Sequence, residues 1–171
     1  LTDGLIVDDG TNIGIGTSSP SSKLHVKGNL NVDSGHIVFN NSGNSVFFFL
    51  SAGQNDDLSD NRNIMIGYQA GQLGSTGNNS IGIGYQALKN NTSDNNVAIG
   101  NATLITNTTG YQNTAIGNSA LTTNSSGRYN TAIGSAAIKS NTNGSNNVAV
   151  GHEASFGNTG GSSNTMLGTG A

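Results

Sequence analysis

The sequence predicts an all-β protein, a parallel β-solenoid (β-roll) of seven coils behind an interwoven N-terminal β module. Three observations predict it. The phrase Asn, Val or Thr, Ala, Ile, Gly occurs three times at regular spacing between residues 96 and 138. The glycines that close this phrase or its variants are Gly67, Gly84, Gly100, Gly117, Gly134, Gly151 and Gly168, separated by 17, 16, 17, 17, 17 and 17 residues. Turn-forming residues abound, with 26 Gly and 27 Asn, while Pro occurs once and Cys is absent. A fixed period in this range marks a stack in which each repeat is one coil laid on the last.

Residues 1–60 read as the N-terminal module. Ile13 and Ile15 alternate with glycines, and Pro20 sits in a Ser-rich turn. Leu24 and Val26 then alternate with Lys23, His25 and Lys27, and Leu30 and Val32 with asparagines, the two-residue period of strands. HIVF at 36–39 and SVFFFL at 45–50 flank NNSGN, which reads as a hairpin. Phe47 and Phe49 would lie on one face and Val46, Phe48 and Leu50 on the other, so both faces call for burial by a partner chain. QNDDLSDN at 54–61 carries Asp56, Asp57 and Asp60 without the ligand spacing of a calcium loop, and reads as a solvated connection.

Residues 61–171 read as the coils. One position before each glycine stand Ile66, Ile83, Ile99, Ile116, Ile133, Val150 and Leu167; three before stand Ile64, Ile81, Val97, Thr114, Thr131, Val148 and Thr165. On a strand these two columns share a face, and they are expected to fill the coil interior. Between them lies a small column, Ala98, Ala115, Ala132 and Ala149, expected to pack against copies of the chain. Ala87–Leu88, Ala120–Leu121 and Ala137–Ile138 suggest a second short strand closing each coil. Asn91, Asn107, Asn124 and Asn141, with Gly77, Asp94, Gly110, Gly127 and Gly144, fit corners that need left-handed backbone. Asn63, Asn96, Asn113, Asn130, Asn147 and Asn164 open the strands and are placed to bond amide to amide along the stack. The 16-residue step loses its residue near 90–95, in a turn.

Composition narrows the function. Six Lys or Arg against nine Asp or Glu leave no basic stripe for nucleic acid, and no apolar run is long enough to insert as a membrane helix. The three histidines lack metal-site spacing, so no metal and no cofactor is expected, and His25 reads as part of a solvated strand. Gly14 and Gly16 follow apolar residues without a helix pattern behind them, which argues against a nucleotide loop. No Ser–His–Asp set or facing carboxylate pair is in view, so catalysis is not expected. The position after each glycine includes Tyr68, Tyr85 and His152, candidates for glycan contact on an otherwise ordinary polar surface.

The phrase N-x-A-I-G-x-x-A, over residues 61–171, resembles the head repeat of trimeric autotransporter adhesins, although those coils are commonly shorter. NIGIGTSSPSSKLHVKGNLNVDSGHIVFNN, residues 12–41, is similar to segments of tail fibres and tail spikes of bacteriophages and of phage-derived contractile injection systems. The resemblance implies a homotrimer and a structural, adhesive part of such a fibre, on a virion tail or extracellular appendage. It would be an internal segment, partnered by other fibre or baseplate proteins, presenting surface to a host glycan or protein. Two alternatives follow: the head of a bacterial trimeric surface adhesin, or, more distantly, a glycan-cleaving tail spike.

Overall fold

The computed structural model describes residues 6–27, 45–56, 61–74 and 77–171. The chain divides into two compact units, Leu1–Val38 and Phe39–Ala171. Leu30, Val32, His36, the first arm of the expected hairpin, Asp57 and Asp60 lie outside the described residues.

In the first unit, β1 (Ile6–Asp8), β2 (Ile13–Ile15) and β3 (Leu24–Val26) form one sheet in that order. β1 and β2 are antiparallel, and the turn between them is tied by Asp9, whose Oδ1 accepts the N–H groups of Thr11 and Asn12 at 2.8 and 2.7 Å. β2 and β3 run parallel, with Gly14 tucked beneath Thr17 and Pro20, where a Cβ would meet the Thr17 carbonyl. The register places Ile6, Ile13, Ile15 and Leu24 on one face, and all four are exposed.

The second unit is the solenoid. Its strands are β4 (Val46–Phe48), β5 (Ile64–Ile66), β6 (Ile81–Ile83), β7 (Val97–Ile99), β8 (Thr114–Ile116), β9 (Thr131–Ile133), β10 (Val148–Val150) and β11 (Thr165–Leu167). They form one eight-stranded sheet in chain order, parallel throughout, with every column of the repeat in register. The described residues contain no helix.

The stack begins one rung earlier than the glycine spacing indicates. Val46–Phe48, assigned from sequence to the N-terminal module, pairs with β5, so the solenoid unit starts before residue 61. Its phrase lacks the closing glycine. Phe49 stands there instead, held at φ 80°, a conformation costly for a bulky side chain.

The two faces of the sheet are the reverse of the sequence expectation. Ala98, Ala115, Ala132 and Ala149 are fully buried within the single chain, so they are not open to a partner copy. They cluster with Leu88, Leu104, Leu121, Ile138 and the alanines at 70, 87, 120, 137 and 154. The flanking columns point outward: Ile64, Ile116, Ile133 and Val148 remain 37–39% exposed. Interior width explains the inversion. Leu88, Leu104, Leu121 and Ile138 cross the narrow coil from the opposite wall, leaving room for only a methyl on the strand side.

The opposite wall is a turn rather than a second strand, yet its backbone still bonds from coil to coil. Leu104 N–H donates to the Ala120 carbonyl at 3.2 Å and Leu121 N–H to the Ala137 carbonyl at 3.1 Å. Left-handed backbone falls on Gln86 and Leu88, Ala102 and Leu104, Ser119 and Leu121, at φ 50–57°. The corner asparagines and glycines serve another purpose. Asn107, Asn124 and Asn141 form one buried ladder; Asn124 Nδ2 donates to Asn107 Oδ1 and to the Gly127 carbonyl, both at 2.9 Å. The strand-opening asparagines form a second ladder. Asn130 Nδ2 reaches Asn113 Oδ1 at 3.2 Å and the Gly144 carbonyl at 2.8 Å, while Asn130 Oδ1 accepts both the N–H and the amide of Asn147. Ser45 and Ser80 replace Asn in this column, and their hydroxyls accept the N–H of Asn63 and Asn96.

The glycine column is steric as well as conformational. Gly117 sits at φ 135°, and a Cβ there would strike the carbonyl of Gly134 in the next coil. The same relation runs from Gly67 to Gly151, each against the next glycine of the column, so the column permits the close stacking of coils.

Candidate functional site

Buried amides and methyls occupy the interior, so recognition chemistry lies on the outer turns. Column by column, the side chains there repeat at coil spacing, about 4.8 Å.

Tyr68 and Tyr85, adjacent in the column after the glycine, are brought together. Their rings stack with centroids 5.8 Å apart and planes within 14°. Beside them Gln86 Nε2 donates to Gln69 Oε1 at 2.8 Å, and Lys89 Nζ reaches the same oxygen at 3.3 Å. His152 stands in the same column but four coils further on, with Glu153 at 4.0 Å as its neighbour. The three candidates therefore do not form one site. Of the other singled-out residues, His25 Nδ1 accepts the Ser21 N–H at 3.3 Å, and Asp56 Oδ2 accepts from Asn61 Nδ2 at 3.2 Å.

A richer surface lies at the 16-residue coil, where sequence reasoning saw only a shortened turn. In full-length coils the ladder asparagine bonds the glycine carbonyl three residues on, as Asn107 does with Gly110. In the short coil Asn91 Nδ2 bonds the Ser93 carbonyl, two residues on, at 2.6 Å. The lost residue is thus located between Asn91 and Ser93, and Ser93 rather than Asp94 takes the glycine position. Asp94 consequently aligns with Tyr111 and Arg128 of the next two coils, and Asn95 with Gln112 and Tyr129.

The shortened turn leaves an open pocket of about 240 Å³ lined by Thr92, Ser93, Asp94, Asn95 and Tyr111. Its floor is anchored to both neighbouring coils. Asp94 Oδ1 accepts the Asn78 N–H at 2.9 Å, and Ser93 Oγ donates to the Thr108 carbonyl at 2.8 Å. Tyr111 is braced from the far side. Arg128 Nη1 donates to its phenol oxygen at 2.9 Å, the guanidinium lies 5.6 Å from its ring centroid, and Tyr129 packs edge-on at 5.3 Å. Accepting the Tyr129 and Arg128 hydrogen bonds lowers the Tyr111 pKa, whereas donating to Tyr111 raises that of Tyr129. The signal that could have located this pocket is the coil-length irregularity followed by Asp, Tyr and Arg at one-coil intervals.

Among the described residues no three His, Cys, Asp or Glu side chains gather as a metal site, and no helix is long and apolar enough to cross a membrane. In comparisons with known proteins, the chain matches no family model, no curated protein and no solved structure.

Proposed function

We propose that this chain is a structural and adhesive segment of a trimeric tail fibre or tail spike, from a phage or a phage-like injection apparatus, that presents receptor-binding surface to a host envelope. The observation that carries the reading is the outward face of the solenoid sheet. Each rung presents two residues there, and across β4–β11 they are aliphatic or aromatic except for Thr114, Thr131 and Thr165. A coil whose interior is already filled gains nothing from this stripe unless another surface covers it. Copies of the same chain supply a matching stripe with the same rise, so rung can meet rung along the whole stack. The exposed Ile6, Ile13, Ile15 and Leu24 face of the first unit supports association in the same way.

Three copies also suit the task. A fibre needs stiffness, which continuous ladders provide, and avidity, which threefold presentation of one weak site provides. Light scattering on the purified chain tests the assembly. A mass three times the 17.2 kDa of the chain is expected; a stable particle of single-chain mass overturns the proposal.

A further inference from the structure

We propose that the notch of the short coil is a saccharide-binding subsite, in which Tyr111 stacks on one sugar ring and Asp94 with Asn95 holds its hydroxyls. The proposal rests on the adhesive reading only for the source of the ligand, a host surface glycan. The site itself follows from the chemistry of the notch.

Every lining side chain is polar or amphipathic, so the pocket offers little to an apolar peptide anchor. It does offer what a sugar ring needs. An aromatic face suits the C–H side of a pyranose, and a carboxylate oxygen beside an amide suits adjacent hydroxyls. Asp94 commits Oδ1 to the Asn78 N–H, while Oδ2 has no partner among the described residues and can accept from a ligand. Tyr111 is held in place by Arg128 and Tyr129 before any ligand arrives, which reduces the ordering cost of binding. At about 240 Å³ the pocket is smaller than the roughly 300–1,000 Å³ typical of drug-sized ligands. One ring of a longer chain fits it. The next coils continue the surface with Gln112, Arg128 and Tyr129, at a rise of about 4.8 Å that approximates the length of one pyranose unit.

The short coil is what opens the site. Restoring the missing residue would give Asn91 the three-residue turn of its neighbours and fill the notch, without disturbing strand, ladder or outer stripe. Insertion of Gly between Thr92 and Ser93 is therefore a variant that keeps the fold and removes the pocket.

The full chain is applied to a printed array of hexose, N-acetylhexosamine and uronate oligosaccharides. The expected result is binding to at least one of these classes. Tyr111→Ala, Asp94→Asn and the Gly insertion should each weaken it by roughly tenfold or more, equivalent to about 1.4 kcal/mol. Phe156→Ala, an exposed aromatic on an outer turn that does not line the pocket, should leave binding unchanged. Circular dichroism and native mass, measured on each variant, distinguish loss of the site from loss of the fold. No binding to any class, or binding that survives the Gly insertion in a folded chain, overturns the subsite. A chain of single-copy mass that still binds through Tyr111 would sink the trimer and leave the subsite standing.

Discussion

At the scale of single residues, the solenoid depends on buried asparagine as well as on its aliphatic side chains. Each strand-opening Asn between Asn113 and Asn147 uses both amide hydrogens and both lone pairs, so every member of the ladder is satisfied by its neighbours. Asn130→Ala removes the acceptor of the Asn147 N–H, which is buried and has no alternative. The expected loss is at least the roughly 1–3 kcal/mol of an orphaned buried donor, read as a lower midpoint in urea unfolding. Asn130→Ser should lose less, because Ser80 already accepts the Asn96 N–H from this column. Equal losses in the two variants would show that side-chain volume, not the hydrogen bond, sets stability there. The ladder was legible in the sequence because it needs only an amide at a fixed interval. The left-handed positions were not, since Leu88, Leu104 and Leu121 adopt that conformation against their own preference. Coil-to-coil bonds and interior packing hold them there, and neither is visible in a residue's identity.

At the scale of the coil, the two faces of each strand perform different tasks, and substitutions should separate them. Leu121 is fully buried in the interior cluster, so Leu121→Ala should destabilise the coil by about 2–5 kcal/mol and shift thermal unfolding whatever the assembly state. Ile116 lies on the outward stripe, one coil edge away from that core. If the proposed trimer covers this stripe, Ile116→Asp should leave β-sheet circular dichroism intact while reducing the native mass to that of one chain, because three carboxylates would then meet there. A variant that unfolds instead of dissociating would place Ile116 inside the core. Periodicity alone assigned these faces the wrong way round. It reports that positions two apart share a side of the strand; which side is enclosed depends on what crosses from the opposite wall. The rung at Val46–Phe48 was hidden for a related reason. The spacing was read from glycine, and the chain spends a strained Phe49 at that position instead.

At the scale of the whole molecule, the shortage of charge becomes a physical property. Six basic and nine acidic side chains serve 171 residues. Apart from the surface bonds of Asp94, Lys89, Arg128 and Tyr129, the bonds described between coils of the solenoid run among amides, hydroxyls and carbonyls that do not titrate. Screening by salt therefore has little to act on, and acid finds few carboxylates to neutralise. Among the described residues, the carboxylate whose folded environment clearly favours ionisation is Asp9, in the first unit. Its pKa is lowered chiefly by the backbone N–H of Asn12, then by that of Thr11. A depressed folded pKa contributes stability above the unfolded value and loses it as pH falls through the folded one. Acid should accordingly loosen the turn between β1 and β2 before it affects β4–β11. Hydrogen exchange resolved by peptide, followed from about pH 7 to below the ordinary carboxylate range near pH 4, checks this after correction for the intrinsic rate. Protection over residues 97–150 should persist while that over residues 6–15 falls. Simultaneous loss in both units would mean that buried ionised groups, rather than neutral ladders, hold the coils together.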